Sequence, residues 1–361
     1  MNLESLFRSR SNDIPTLHRI AHRSTGAKDL ARLLRLGSVL LAAGTLAACG
    51  TSDEAAVDAA SPSQGDSGGA EGSGGSGGSG GPLSGPGGDL KGPYMERTLG
   101  ASDGTERVWL LRLPAGYKEG MLADVVFSFH GAGSNALAQF TYSDFMEQAD
   151  RDGVILVMPN ANDRVYADET HRLAGYWSGA WEANLRERDF DIDHVLELVD
   201  LLRSEYNTGD FFATGMSAGG DMVSALACFP DSPFKAYGPV TYMYYNEAEC
   251  GSAPPRPFIY FHGTEDATVP IQGSDDPWND PPVSEAMQRW ADHNGCEGGP
   301  TERAVSDEVT HISWAGCDAS TEWYRIEGGG HTWPGAVYTD RLGYTTDDIS
   351  ASDLIWEVFH R

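Results

Sequence analysis

A glycine-bounded motif in this chain contains a serine whose sequence surroundings suit it to chemistry. Gly215, Ser217 and Gly219 form the pattern G-x-S-x-G, which follows the apolar run 210–214 and precedes a helix-like stretch. A strand that turns sharply into a helix presents such a serine on a strained turn, where only small neighbours fit. The sequence therefore predicts that Ser217 is a nucleophile. The alternative is an ordinary serine in a glycine-rich loop.

A serine hydroxyl is a poor nucleophile unless a histidine takes its proton and a carboxylate orients that histidine. A buried strand is predicted over 257–262, and the loop that follows it carries Glu265 and Asp266. Loops at the carboxyl ends of parallel strands are common places for functional side chains. We predict that Asp266 is the acid, with Glu265 as its rival. An ordinary turn aspartate is the alternative.

His331 is the best placed of the four histidines that follow Asp266. It lies in the loop 328–335, directly after the strand-like run 323–326. The three glycines and the proline of this loop can hold an imidazole at the end of a sheet. We predict that His331 is the base, and that the other three are core or surface residues: His293, His311 and His360.

Two backbone N–H groups are needed to stabilise the oxyanion of acyl transfer. One is expected from Ala218, which follows the nucleophile. The second is expected from the H-G-x-G turn after the strand 125–130, with Ala132 favoured over Gly133. His130 is predicted to be structural and to orient this turn.

Alternating strand and helix patterns must position these residues. Buried apolar strands separated by helices predict a mostly parallel central sheet with helices on both faces, and no separate lid domain. The predicted strands are 108–113, 125–130, 153–159, 211–215, 240–245, 257–262 and 322–326, and the predicted helices are 135–150, 192–206, 219–228, 283–294 and 352–360.

With these residues assembled, the chain resembles the polyhydroxybutyrate depolymerase and feruloyl/acetylxylan esterase group of α/β-hydrolases, and most of all its secreted or lipid-anchored bacterial members. The resemblance implies the α/β-hydrolase fold and a triad of Ser217, Asp266 and His331. One departure is Ala218, where relatives often carry asparagine. The matching stretches are FHGAGSNA at 129–136, DIDHV at 191–195, FATGMSAGGDM at 212–222, FHGTEDATVP at 261–270, IEGGGHTWPG at 326–335 and DLIWEVF at 353–359.

These features predict two-step hydrolysis of a carboxylic ester without a metal or an organic cofactor. Three tryptophans near the predicted site, Trp177, Trp181 and Trp333, are candidates for lining the substrate cleft. Feruloyl, acetyl and 3-hydroxybutyryl esters all remain open as substrates. The alternatives are a catalytically inactive binding module with the same fold, and a peptidase.

Four cysteines in the predicted catalytic region indicate two disulfides in an exported protein. Three pairings are possible for Cys228, Cys250, Cys296 and Cys317. Proximity along the chain favours Cys228 with Cys250 and Cys296 with Cys317, and the resemblance implies the same pairs. A zinc site is disfavoured because no CxxC motif or histidine cluster accompanies them.

The N-terminus has the features of an export signal. Seven basic residues up to Arg35 precede an uncharged stretch, 36–48, that is too short to span a bilayer. The stretch ends in Leu46-Ala47-Ala48-Cys49, which looks like a bacterial lipobox, so Cys49 is predicted to be lipidated and to anchor the protein to the cell envelope. A plain secretory signal is the alternative. The predicted organisation is a signal peptide at 1–48, a lipidated cysteine with a Gly/Ser-rich flexible tether at 49–92, and an esterase domain at 93–361.

The chain is strongly acidic, with a formal net charge of −28, which becomes −32 once the predicted signal peptide is removed. Such a domain is expected to repel nucleic acid and anionic lipid surfaces. The expected partners are therefore an ester substrate and, through the lipid anchor alone, a membrane. The composition points to no particular oligomeric state.

Overall fold

The computed structural model describes residues 84–85, 88–89, 94–101, 104, 106–161, 177, 185–274, 281–336 and 342–361. All of them belong to one compact unit, Gly74–Arg361. Cys49, Trp181 and the predicted signal peptide lie outside the described residues. Within the predicted tether, the strands β1 (Ser84–Gly85) and β2 (Gly88–Asp89) form a short antiparallel pair.

The centre of this unit is a ten-stranded sheet in the order β10-β11-β12-β9-β8-β7-β5-β6-β4-β3. The six neighbours from β12 to β6 run parallel, and each edge is closed by two antiparallel strands. The strands are β3 (Met95–Gly100), β4 (Glu106–Arg112), β5 (Ala123–Phe129), β6 (Ile155–Pro159), β7 (Thr208–Met216), β8 (Phe234–Val240), β9 (Phe258–Gly263), β10 (Gly298–Ala304), β11 (Val309–Ala315) and β12 (Thr321–Ile326).

Helices connect most of the parallel strands. They are α1 (Ala136–Ser143), α2 (Met146–Asp152), α3 (Leu185–Glu205), α4 (Ala218–Cys228), α5 (Glu247–Cys250), α6 (Val283–His293) and α7 (Ala351–Phe359). Among the residues listed above as described, no helix combines the length and the apolar character needed to cross a membrane. Within the same ranges, no separate lid domain is inserted between strands and helices.

Both faces of the sheet are covered, which explains why its central strands are apolar throughout. Successive residues of a strand point to opposite faces. On β5, Val125 and Phe127 pack in a core with α3, α4 and α6, whereas Val126 packs in a second core with α1, α2 and α7. The predicted mostly parallel sheet with helices on both faces is confirmed.

Three predicted elements are wrong in their bounds, and one of them is the helix predicted at 192–206, which begins at Leu185. The strand predicted at 240–245 is in fact β8, which ends at Val240. Gly238 and Pro239 weaken the strand pattern of β8, and the aromatic run after it imitates one. Thr241 has a φ of 65°, which no strand residue adopts. The helix predicted at 135–150 is divided into α1 and α2 because Asp144 takes the left-handed conformation, with φ 38°.

A buried ion pair accounts for one of the stretches that carry the family resemblance. Asp191 lies inside α3 with its side chain fully buried, and its carboxylate pairs with the buried guanidinium of Arg107 on β4. The pair ties α3, which precedes the nucleophile strand, to the sheet. Removing one partner would leave a buried charge uncompensated, so the pair has a structural role.

The structure joins Cys228 to Cys250 and Cys296 to Cys317, the pairs that proximity along the chain favours. The first pair links the end of α4 to α5. The second closes the base of the antiparallel β10–β11 hairpin, with a sequence separation of 21 residues.

We expect the double substitution Cys296→Ser and Cys317→Ser to lower the free energy of unfolding by about 2–4 kcal/mol, because the unfolded chain regains loop entropy. Urea denaturation followed by tryptophan fluorescence measures this loss. A reductant should lower the wild-type midpoint more than that of the variant. Equal midpoints for wild type and variant without reductant would contradict the prediction.

Candidate active site

Ser217 occupies the sharp turn between β7 and α4. Its backbone has φ 56° and ψ −121°, a combination that non-glycine residues rarely adopt, and its side chain is partly exposed. The glycines on each side have no room for a side chain. A Cβ on Gly219 would lie 2.1 Å from the carbonyl oxygen of Phe129, and one on Gly215 would lie 2.6 Å from the carbonyl oxygen of Gly219. The G-x-S-x-G pattern is therefore a steric requirement of this turn.

The turn after β5 lies beside the serine. A Cβ on Gly131 would be 3.3 Å from Cβ of Ser217 and 3.9 Å from its Oγ. The amide of Ser134 donates to the carbonyl of Gly131 at 3.1 Å, and Gly133 supplies the positive φ of 68° that closes this turn. The exposed Ala132 lies within it. Ala218 is the first residue of α4, where backbone N–H groups have no acceptor within the helix.

His130 holds the turn in place. Its Nδ1–H donates to the carbonyl of Gly131 at 2.8 Å, and its Nε2 accepts from the amide of Ala161 at 3.1 Å. The ring is buried and has a hydrogen-bond partner at each nitrogen. These contacts fit the orienting role predicted for His130.

Two of the three predicted cleft tryptophans are core residues, which corrects the prediction that they line a substrate cleft. Trp177 is 1% exposed, donates from Nε1 to the carbonyl of His130 at 2.8 Å and packs edge-on against Phe129. Trp333 is also 1% exposed and donates from Nε1 to Oγ of Ser352 at 3.1 Å. Burial of their large apolar surfaces fixes both indoles inside the protein. Trp181 lies outside the described residues.

The predicted acid and base are brought together from two neighbouring strands. Asp266 follows β9 and His331 follows β12, and Nδ1 of His331 lies 2.7 Å from Oδ2 of Asp266. Both side chains are buried. The other oxygen of Asp266, Oδ1, accepts from the amides of Thr268 at 2.9 Å and Val269 at 2.8 Å. Glu265 is exposed, so Asp266 is the carboxylate within reach of the imidazole.

Backbone contacts hold the histidine loop. The amide of His331 donates to the carbonyl of Leu342 at 2.8 Å, and the amide of Gly330 donates to the carbonyl of Tyr344 at 2.8 Å. A Cβ on Gly330 would lie 2.4 Å from the carbonyl oxygen of Leu342. The glycines of this loop thus permit the close backbone approach that fixes the imidazole.

A second histidine, His262, supports the acid loop and has no counterpart among the predicted site residues. Its Nδ1 accepts from the hydroxyl of Tyr260 at 2.6 Å, and its Nε2–H donates to the carbonyl of Val269 at 2.9 Å. The same residue, Val269, donates its amide to Asp266. Burial lowers the pKa of His262 to about 4, against the attraction of the nearby Asp266 carboxylate. The histidine of the F-H-G-T-E-D stretch was the available signal for this role.

The low pKa of His262 predicts a loss of stability in acid. Between about pH 6.5 and 4 the unfolded chain binds a proton at this ring and the folded chain does not, so stability falls as the pH falls. We expect about 3 kcal/mol to be lost by pH 4 from this group. His262→Gln keeps one donor and one acceptor but cannot titrate, so its melting temperature should fall less between pH 7 and 4. Parallel curves for the two proteins would contradict the prediction.

The remaining downstream histidines lie away from this cluster. His311 on β11 contacts Glu322 at 3.0 Å and stacks on Tyr324. His293 packs against Tyr245 and Trp290, and His360 packs against Trp356. These contacts agree with the core and surface roles predicted for them.

In the described part of the chain, no three residues among His, Cys, Asp and Glu are grouped so that they could hold a metal ion.

Comparison with known proteins gives relatives in sequence and in structure. The chain is 23% identical over 271 residues to the probable feruloyl esterase C of Aspergillus terreus, covering 73% of this chain and 87% of the relative. It is 23% identical over 273 residues to the feruloyl esterase C of Emericella nidulans, with the same coverage of 73% and 87%. No protein-family model matches the chain.

Among solved structures, the acetyl xylan esterase from Aspergillus awamori superimposes with a TM-score of 0.53 at 16% identity, covering 74% of this chain and 99% of that one. At this identity the likeness concerns the fold. The chain therefore has the α/β-hydrolase fold, and the named proteins that it resembles in sequence are feruloyl esterases.

Proposed function

We propose that this carboxylic ester hydrolase works through Ser217 as nucleophile, His331 as base and Asp266 as the acid that orients the base. The observation that carries the proposal is the 2.7 Å contact between Nδ1 of His331 and Oδ2 of Asp266, at the edge of the sheet where β7 presents Ser217. Because β5, β7, β9 and β12 are parallel, their carboxyl ends meet at this edge. A buried imidazole paired with a carboxylate, at the same sheet edge as a strained serine, supports the arrangement that acyl transfer requires.

The contact with Asp266 determines which nitrogen of His331 is the base. The carboxylate is a hydrogen-bond acceptor, so the ring proton lies on Nδ1 and the lone pair on Nε2. Nε2 takes the proton of Ser217 as Oγ attacks the ester carbonyl carbon. The negative charge moves to the carbonyl oxygen, which accepts from the backbone N–H groups of Ala218 and Ala132.

The tetrahedral intermediate then collapses. The alcohol leaves with the proton held on Nε2 of His331, and the acyl group stays on Oγ of Ser217. A water molecule repeats the sequence: Nε2 takes its proton, its oxygen attacks the acyl carbon, and Oγ leaves with the proton. The net reaction converts an ester and water into a carboxylic acid and an alcohol, and no cofactor takes part.

Feruloyl esters are the substrate class that we propose. The relatives found in sequence carry the name feruloyl esterase C, and the matches cover most of their length. Acetyl and 3-hydroxybutyryl esters stay as alternatives that the substrate panel below distinguishes. The strong negative charge of the chain favours uncharged esters over polyanionic ones.

We also propose that the protein is exported and lipid-anchored through Cys49. Two disulfides in the described residues support export, because such bonds persist in oxidising compartments. The lipobox-like stretch before Cys49 supports the anchor. Mass spectrometry of the protein from its native membrane fraction tests it: a lipid-modified Cys49 peptide is expected, and an unmodified N-terminus in the medium would favour plain secretion.

A panel of esters that share one leaving group tests the proposed activity. With methanol as the common alcohol, the rates on methyl ferulate, methyl acetate and methyl 3-hydroxybutyrate compare the acyl groups alone. We expect the highest kcat/KM on methyl ferulate. Labelling by a fluorophosphonate probe should place the adduct on the peptide that contains Ser217.

The outcomes separate the alternatives. Hydrolysis with a different acyl preference would keep the mechanism and change the substrate class. A folded protein that hydrolyses none of these esters and takes up no probe would support the inactive binding module. Hydrolysis of peptide amides in preference to esters would support a peptidase.

A further inference from the structure

Two strained residues meet behind the nucleophile. In the described part of the chain only three non-glycine residues have a positive φ: Asp144, Ser217 and Thr241. Asp144 ends a helix, where this conformation is common. Ser217 and Thr241 are 24 positions apart in the chain, and they are hydrogen-bonded to each other.

The contact involves the backbone of the nucleophile. The amide of Ser217 donates to the carbonyl of Val240 at 2.9 Å and to the hydroxyl of Thr241 at 3.1 Å. The same hydroxyl donates its proton to the carbonyl of Val240 at 2.7 Å. The Thr241 hydroxyl thus closes a small ring of hydrogen bonds around the amide of Ser217.

The backbone conformation of Thr241 is energetically unfavourable, and packing alone does not explain why it persists. A β-branched residue with φ 65° is disfavoured by about 1–3 kcal/mol, and a glycine or asparagine would adopt it more easily. Thr241 is fully buried, and its amide donates to the carbonyl of Phe261 on β9 at 2.9 Å. Strain that persists at such a position indicates a side chain that is needed there.

The segment around Thr241 also touches the first turn of α4. A Cβ on Gly220 would lie 2.2 Å from the carbonyl oxygen of Tyr242, so the two backbones are in direct contact. Thr241 therefore lies between β9, which leads to Asp266, and the turn that carries Ser217. Its contacts reach the nucleophile through the backbone of the turn and involve no reacting atom.

We propose that Thr241 is a positioning residue whose hydroxyl fixes the backbone of Ser217, and with it the direction of Oγ and of the adjacent Ala218 N–H. The inference rests on the proposed serine mechanism. A displacement of this turn by a fraction of an ångström would misdirect both the attacking oxygen and one oxyanion donor. The acceleration of the chemical step therefore depends on the hydroxyl, whereas substrate binding does not.

Thr241→Val and Thr241→Ser separate the hydroxyl from the shape of the side chain. Valine has the shape of threonine but carries a methyl group in place of the hydroxyl that accepts from Ser217. At the 3.1 Å position of the hydroxyl, this methyl carbon would be closer to the Ser217 amide nitrogen than the 3.5–4 Å that a carbon contact tolerates. We expect Thr241→Val to lower kcat about tenfold, with KM within about twofold of wild type. Thr241→Ser keeps the hydroxyl and should retain wild-type kcat within about twofold. Thr141→Val on α1 is the matched control for the change of residue type.

Each outcome decides the inference. A loss of kcat in Thr241→Val, a parallel loss in the rate of fluorophosphonate labelling and rescue in Thr241→Ser would support it. Wild-type kcat in Thr241→Val would overturn it, and so would equal loss in both Thr241 variants. If Thr241→Val does not fold, Thr241→Ala, which also lacks the hydroxyl, replaces it in the same comparison. A wild-type protein without turnover on any ester would overturn the proposed function, and this inference with it.

Discussion

Replacing Ser217 with alanine is expected to lower kcat by about 10⁶-fold, because the covalent route is lost altogether. Without Oγ, no acyl-enzyme forms, and His331 can only assist the direct attack of water within the oxyanion hole. The backbone amide of the residue at this position keeps its bond to Val240. KM and the melting temperature should therefore change little. Initial rates on methyl ferulate, with a burst-phase titration of active sites, measure the effect.

Ser204→Ala is the matched control for Ser217→Ala. Ser204 is exposed on α3, and its hydroxyl donates only to the nearby carbonyl of Leu201 in the contacts described. This variant should retain wild-type kcat. Turnover by Ser217→Ala within tenfold of wild type, on protein free of contaminating esterase, would be incompatible with Ser217 as the nucleophile.

Replacing Asp266 with asparagine is expected to lower kcat by about 10⁴-fold. The amide oxygen can still accept from the backbone N–H groups of Thr268 and Val269. The amide nitrogen is then the atom that faces Nδ1 of His331. Because it donates a hydrogen bond, Nδ1 becomes an acceptor and the ring proton moves to Nε2, where it blocks removal of the proton of Ser217.

Glu265→Gln makes the same chemical change at the adjacent position. Glu265 is exposed, and its backbone amide donates to the carbonyl of Gly329 in the histidine loop. We expect wild-type kcat for this variant. A larger effect of Glu265→Gln than of Asp266→Asn would exchange their assignments.

The sequence signals for the candidate site are local. The turn around Ser217 tolerates only glycine at two positions, and the loop around His331 needs glycine where backbones touch. Such steric demands are visible in the sequence as glycines within a few residues of the candidate site residue. The distance between Asp266 and His331, by contrast, is set by the pairing of β9 with β12, and the chain order alone does not state that these strands are neighbours.

Features that depend on packing between distant segments were missed. The sequence predicts Trp177 and Trp333 at a cleft because they accompany predicted site loops, but the carbonyl of His130 and the hydroxyl of Ser352 hold their indoles in the core. The run after Val240 has strand-like composition, yet hydrogen bonds to Ser217 and Phe261 override that local preference. The outer strands β3 and β10 are largely polar and exposed, so they lack the apolar pattern that identifies buried strands.

The segment at 342–344 contacts the loop of His331 through its own backbone atoms. It holds the loop of His331 through the carbonyl groups of Leu342 and Tyr344, which every amino acid possesses. The side chains of these two residues are 37% and 50% exposed. We therefore expect substitutions at these two positions to leave the backbone contacts of the His331 loop in place. A lineage of such enzymes can diversify its surface beside the histidine while the frame that holds the base is inherited unchanged.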